Sequence, residues 1–110
     1  MILINVKYKV RPEYTENFRE EVAEFTEATR AEEGNLFFEW YRATDAQDEY
    51  FLLEGFKDDA AEVHVSSAHF KKACEDMPKL LLETPEIINT VIEGKTEWDR
   101  MAEFKVEDEA

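Results

Sequence analysis

Cysteine is almost absent from this sequence of 110 residues, in which Cys74 is the only one. No disulfide bond can therefore form within the chain, as is typical of proteins in a reducing cytoplasm. Glycine and proline are also scarce, at three residues each, which excludes collagen-like and low-complexity classes. Since hydrophobic residues make up 44% of the sequence, we expect one globular domain with a single core.

Basic residues are few: 13 lysines and arginines stand against 27 acidic residues, for a net charge of −14. Because phosphate backbones and anionic lipids repel so acidic a protein, the charge argues against nucleic acid and membrane surfaces as partners. No apolar run approaches the length of a transmembrane helix. The N-terminal residues do not form a basic leader followed by a long apolar stretch, so we expect no signal peptide and a cytoplasmic protein.

Hydrophobic periodicity defines the first two elements. Residues 2–10 have the alternation of a β-strand, which Pro12 ends. Residues 14–32 predict an amphipathic helix, because side chains of its buried face recur at spacings of three and four: Tyr14, Phe18, Val22, Phe25 and Thr29. Gly34 and Asn35 then end the helix.

Three more strands are predicted over residues 36–43, 49–56 and 86–94, the first two joined by a hairpin loop. Between the last two, Asp58 is a favourable N-cap for a helix that ends near His64. The resulting order of elements is β-α-β-β-α-β.

A second helical piece is expected to begin after Ser66 or Ser67, either of which would cap it. Apolar residues recur around it at helical spacing: Val63, Phe70, Cys74 and Met77. This stripe predicts that Cys74 is a buried structural thiol.

The order of elements over residues 1–94 predicts an α+β fold of the ferredoxin-like type, with both helices on one face of a four-stranded sheet. The other face is expected to be polar if it meets water, yet the second and fourth strands are apolar on both sides. We therefore predict a homodimer in which two sheets pack face to face.

An acidic C-terminal extension covers residues 95–110. Apolar residues are spaced along it: Trp98, Met101, Phe104 and Val106. They predict an arm that packs on the partner subunit, and the alternative is a disordered acidic tail.

Histidine is the side chain best suited to proton transfer near neutral pH, and the chain has two, His64 and His69. On one continuous helix, residues five apart point about 140° from each other, whereas the histidines of a helical zinc pair are four apart. We therefore predict no metal site. His64 is a candidate acid–base residue, and the alternative is a solvated or cap-bonded histidine near the rim of the sheet.

Glu54 interrupts an apolar strand, so its carboxylate faces either the helix layer or the space between two sheets. A carboxylate buried in either place needs a partner or a raised pKa, and the alternative is a structural ion pair with Arg42 or Lys7. Asn5 lies on the polar side of the first strand, where its amide would orient a ligand in the space between the sheets.

The aromatic residues of the middle strands have two interpretations. Trp40 and Phe56 are most simply core residues, but they would also form a wall for a flat aromatic substrate. No glycine-rich loop is present to hold a phosphate, so the sequence predicts no nucleotide or flavin.

Three segments taken in order, TRAEEGNL at 29–36, FLLEGF at 51–56 and AAEVHVSSAHF at 60–70, resemble the antibiotic biosynthesis monooxygenase domain. The resemblance covers about residues 1–94 and implies a dimeric α/β barrel, in agreement with the predicted homodimer. It also implies oxidation of a small hydroxyaromatic compound or quinol by O₂ without metal or flavin, so no cofactor is expected.

On this resemblance, His64 is the catalytic acid–base residue, and Glu54 either orients it or binds a substrate hydroxyl. The remaining candidates would bind the substrate: Asn5, Trp40, Phe56 and His69. Haem degradation, known in the same family, is disfavoured because Phe56 and Cys74 stand where its tryptophan and iron-binding histidine are expected. Two other functions stay open, an isomerase or degradation enzyme of the autoinducer-2 processing type and a non-catalytic dimeric ligand-binding or stress module.

Overall fold

The computed structural model describes residues 1–107, which form a four-stranded sheet with short helices. The strands and α-helices are β1 (Ile2–Lys9), α1 (Phe18–Glu21), α2 (Ala23–Arg30), β2 (Asn35–Arg42), β3 (Glu49–Phe56), α3 (Ala61–Val65), α4 (Ala68–Asp76) and β4 (Glu86–Val91). Single turns of 3₁₀ helix cover Pro12–Tyr14, Met77–Leu80 and Ala102–Phe104.

The strand order in the sheet is β2-β3-β1-β4, and every neighbouring pair is antiparallel. Two helical connections, one between β1 and β2 and one between β3 and β4, complete the β-α-β-β-α-β order. The predicted α+β ferredoxin-like fold is therefore confirmed. β4 is shorter than predicted, because it ends at Val91 and the chain turns at Gly94, which has φ of +72°.

The helix predicted over residues 14–32 is shorter in the structure, because it begins at Phe18 and ends at Arg30, and it is interrupted at Val22, between α1 and α2. The Thr26 hydroxyl donates a hydrogen bond to the Val22 carbonyl at 2.7 Å, a bond typical of bent helices. The predicted inner face is nevertheless correct, because Phe18, Val22 and Thr29 are all buried.

Aromatic rings form the centre of the core between the sheet and the helices. The Phe18 ring is fully buried, and its centroid lies 4.6 Å from that of Tyr50 and 5.3 Å from that of Trp40. Trp40 Nε1 donates to the Thr26 hydroxyl at 2.9 Å, which satisfies its only polar atom. These contacts place Trp40 in the core.

Cys74 is exposed, and the prediction of a buried thiol is wrong. The residues of this helical region that pack inward are instead Phe70, Ala73, Met77 and Leu80. Within α4 the inward face runs through Ala73 rather than Cys74, and the break between α3 and α4 changes the phase of the helical face, so Val63 is also 65% exposed.

The face of the sheet opposite the helices, called here the open face, carries a set of partly exposed apolar residues: Leu3, Phe37, Phe51, Leu53 and Ile88. Ile88 is 70% exposed. The Trp98 ring from the C-terminal extension lies on one end of this face, with its centroid 5.4 Å from that of Phe37. The predicted extension continues to residue 110, and positions 108–110 lie outside the described residues. Within residues 1–107, none of the helices has the length and apolar character needed to cross a membrane.

Gly34 lies where the turn before β2 passes against the start of α3. A Cβ atom on Gly34 would fall 2.2 Å from the Ala60 Cβ, and the Lys57 N–H donates to the Gly34 carbonyl at 2.8 Å, which holds the two segments together. We expect Gly34→Ala to lower the free energy of unfolding by about 1–3 kcal/mol, measured by urea denaturation. The double variant with Ala60→Gly should recover part of that loss, and equal stability of G34A and wild type would contradict the contact.

Candidate functional site

Three polar side chains from separate parts of the chain converge on one point where α3 and α4 meet the turn after α2. Glu32 lies in the turn after α2, His64 in α3 and His69 in α4. His64 Nδ1 donates to Glu32 Oε2 at 2.7 Å, and His69 Nε2 donates to the same oxygen at 2.6 Å. We call this arrangement the Glu32–His64–His69 cluster.

Ser67 determines how the two histidines converge. Its hydroxyl donates to the His64 carbonyl at 2.6 Å and accepts from the Phe70 N–H at 3.2 Å, so it ends α3 and caps α4. The cap predicted at Ser66 or Ser67 is therefore confirmed at Ser67. The two imidazoles belong to two helices, so the separation of about 140° expected on one continuous helix does not apply to them, and the prediction that they cannot form a metal pair is wrong on this point.

The cluster is largely removed from water. The side chains of His64 and Glu32 are 6% and 9% exposed, whereas that of His69 is 22% exposed. Rings of Phe25, Phe56 and Phe70 surround the His64 imidazole at centroid distances of 6.0, 4.8 and 5.1 Å. In such apolar surroundings each hydrogen bond is stronger than in water.

Glu54 points from β3 into the helix layer and is buried. Burial, followed by the negative charge of Glu32, raises the pKa of Glu54 to about 7. The proposed structural ion pair is wrong, because Arg42 binds Glu16 at 3.0 Å and Lys7 lies on the open face. Glu54 is therefore a buried carboxyl group without a cationic partner within residues 1–107, and its surroundings favour the protonated form.

The predicted substrate-binding residues do not all lie near His64. Asn5 is on the open face, on the opposite side of the sheet from Glu54. Trp40 belongs to the aromatic core described above, and Phe56 is fully buried against the His64 imidazole. Of this set, the structure brings only Phe56 and His69 to the cluster.

A cleft between α1 and α2 on one side and α4 on the other connects His69 with solvent. Its volume is about 60 Å³, and its apolar lining includes Phe25, Met77 and Leu80. That volume is less than half of the apolar cavity of about 150 Å³ that is known to bind benzene. An aromatic ring therefore enters this cleft only if the cleft widens.

Glu32 was not singled out from the sequence, although it accepts hydrogen bonds from both histidines. It is 32 residues from His64 and 37 from His69 in the chain, so no local periodicity relates them. Its only sequence signal is its position in the segment 29–36, which resembles the monooxygenase domain.

Comparison with known proteins gives consistent matches. The family model described as "Antibiotic biosynthesis monooxygenase" matches residues 1–76. A protein of Bacillus subtilis (strain 168) named "Putative monooxygenase YcnE" is 31% identical over 91 residues, which cover 82% of this chain and 96% of that protein.

Solved structures show the same fold. A conserved protein from Methanosarcina mazei Go1 is 27% identical, with a TM-score of 0.75 over 81% of this chain and 89% of that one. A protein titled "Putative antibiotic biosynthesis monooxygenase from Nitrosomonas europaea" is 21% identical, with a TM-score of 0.74 over 84% of this chain and 99% of that one.

Proposed function

Because the chain belongs to the antibiotic biosynthesis monooxygenase family, we propose that it oxidises a small hydroxyaromatic compound or quinol with O₂. The observation that carries the proposal is the Glu32–His64–His69 cluster, since it places two oriented imidazoles in apolar surroundings. Deprotonation of a phenol needs a positioned base and a site that excludes water, and the cluster has both properties.

The reaction balances without a separate reductant. A base removes the phenolic proton, and the electron-rich phenolate reduces O₂. For a phenol with a free para position, one oxygen atom enters the ring to form the p-quinone and the other leaves as water. The substrate supplies all four electrons, and its phenolic and ring hydrogens leave as the two protons of that water.

Within this reaction we assign His64 as the acid–base residue and His69, at the cleft, as the residue that binds the substrate hydroxyl. Each neutral imidazole donates one N–H to Glu32 and so keeps its other ring nitrogen as an acceptor. Glu32, rather than Glu54, therefore orients His64. In its protonated form, Glu54 would donate a hydrogen bond to an oxygen anion that forms during the reaction.

The proposal is tested by oxygen uptake of the metal-stripped protein with a panel of hydroquinones, naphthols and naphthoquinols, against blanks for autoxidation. With ¹⁸O₂ and an active substrate, we expect one labelled atom in the product and one in water. Uptake no faster than the blank across the panel would contradict the proposal, as would hydrogen peroxide as the only reduced product of oxygen.

The isomerase alternative is not favoured, because a phosphorylated or similarly anionic substrate needs a basic pocket. Three of the side chains that line the cleft are acidic: Glu21, Glu24 and Asp76. Lys72, which also lines the cleft, lies 3.2 Å from Glu24 and is neutralised by it. The cleft therefore suits a neutral substrate better than an anionic one.

We also propose that a second copy of the chain covers the open face and forms a homodimer. The support is the apolar character of this face, on which Leu53 and Ile88 are neighbours of Asn5 in the register of β3, β1 and β4. Asn5 would then lie between the two sheets, and the C-terminal extension after Trp98 would pack on the partner.

Ile88→Glu should weaken self-association at least about tenfold in analytical ultracentrifugation, because it buries a charge between the two sheets. Ile87→Glu is the matched control, because Ile87 is also exposed but points to the other side of β4. Equal weakening by both variants, or a monomeric wild type at micromolar concentration, would contradict the face-to-face dimer.

A further inference from the structure

We propose that Glu32, His64 and His69 form a binding site for one divalent transition-metal ion. Each residue offers one ligand atom, and these three atoms lie within 4.8 Å of one another. Glu32 Oε2 is 2.7 and 2.6 Å from the two imidazole nitrogens. At metal–ligand distances of about 2.0–2.1 Å in tetrahedral geometry these separations become about 3.3 Å, so small side-chain rotations are sufficient.

The second carboxylate oxygen of Glu32 supports the same inference. The Glu32 side chain is only 9% exposed, and its Oε1 is buried without a hydrogen-bond partner within residues 1–107. An ionised oxygen that has lost its water and gained no partner is unfavourable. A cation at the cluster compensates this charge directly.

The chemistry of the donors selects the class of ion. Two imidazole nitrogens with one carboxylate favour zinc, cobalt, nickel or iron over magnesium and calcium, which prefer oxygen ligands alone. Three protein ligands leave at least one coordination position open. His69 lines the cleft, so the ion has a path from solvent.

Metal binding and proton transfer at His64 exclude each other. In the metal-free cluster both imidazoles donate N–H bonds to Glu32 Oε2, and the same two nitrogens would have to give up those protons to bind an ion. Zinc should therefore inhibit oxygen uptake. This consequence rests on the proposed function, whereas the metal site itself does not.

The site is tested by titrating Zn²⁺ in competition with a chromophoric chelator and by recording the visible spectrum of the Co²⁺-loaded protein. A Cys74→Ser background removes the exposed thiol as a competing ligand. We expect one ion per chain. Glu32→Gln and His69→Ala should each raise the Kd at least about 100-fold, since loss of an outer-shell partner alone costs 10–100-fold.

Glu33→Gln is the matched control, because it removes the same charge at the exposed residue next to Glu32. It should leave the Kd within about twofold of the background. His69 is only partly buried, so H69A keeps the test decisive if E32Q fails to fold. Zinc affinity that both E32Q and H69A leave unchanged would overturn the metal site. Loss of zinc binding in these variants supports it even if no tested phenol is oxidised.

Discussion

Replacing His64 by alanine is expected to lower kcat for oxygen uptake by about 10²–10⁴-fold, the usual contribution of a positioned acid–base residue. The loss should fall mainly on kcat, because His64 is buried and His69, rather than His64, lines the cleft through which we propose that the substrate enters once it widens. His69→Ala should therefore raise KM more than it lowers kcat. The measurement is initial-rate oxygen uptake in the presence of a chelator, with each variant shown to be folded by circular dichroism.

Two further variants separate chemistry from packing. Removal of the His64 ring leaves a cavity beside Phe56, so His64→Gln, which keeps more of the side-chain volume, should be about as inactive as H64A. Glu62→Ala changes an exposed residue of the same helix and should retain wild-type kcat. A folded H64Q with wild-type kcat would contradict the acid–base assignment.

Much of the fold is predictable from local patterns, because alternation of apolar residues indicates a strand and their spacing by three and four indicates a helix. Alternation over residues 2–10 predicted a strand now seen as β1, and the spacing from Phe18 to Thr29 predicted a buried face that the structure confirms. The buried face persists across the interruption at Val22, because α1 and α2 still direct their inner residues to the same core.

The candidate site was predictable only in part, because it depends on where helices break and on contacts distant in sequence. Extending one helical phase from Val63 through Cys74 placed the thiol in the core and separated His64 from His69. The break at Ser67 lets the two histidines converge, and within α4 it is Ala73 rather than Cys74 that packs on the core.

Glu32 and Glu54 illustrate two different limits. Glu54 was identified because it breaks an apolar strand, and only the direction in which it points had to come from the structure. Glu32 lies in a polar turn, where an acidic residue is unremarkable, and its importance comes from two long-range hydrogen bonds. Local sequence reasoning therefore finds polar residues in apolar surroundings more readily than the partners that reach them.

Glu54→Gln is expected to stabilise the protein above neutral pH. The pKa of Glu54 is raised from 4.5 to about 7 in the folded protein, so between these values the folded state binds more protons than the unfolded state. The free energy of unfolding of the wild type therefore falls as pH rises through this window. Glutamine does not ionise, so E54Q should gain up to about 3 kcal/mol over the wild type by pH 8, and the difference should vanish near pH 4.5.

Glu62→Gln is the control for this prediction, because Glu62 is an exposed carboxylate whose removal changes the net charge by the same amount. Urea denaturation of the wild type, E54Q and E62Q at intervals from pH 4.5 to 8 gives the free energy of unfolding of each variant relative to the wild type. If E54Q and E62Q change stability equally at every pH, the effect is one of net charge, and the buried carboxyl is not destabilising. A difference confined to E54Q that develops between pH 4.5 and 7 identifies Glu54 as a carboxyl group whose ionisation the fold opposes, as is required of a carboxyl group that donates a hydrogen bond near neutral pH.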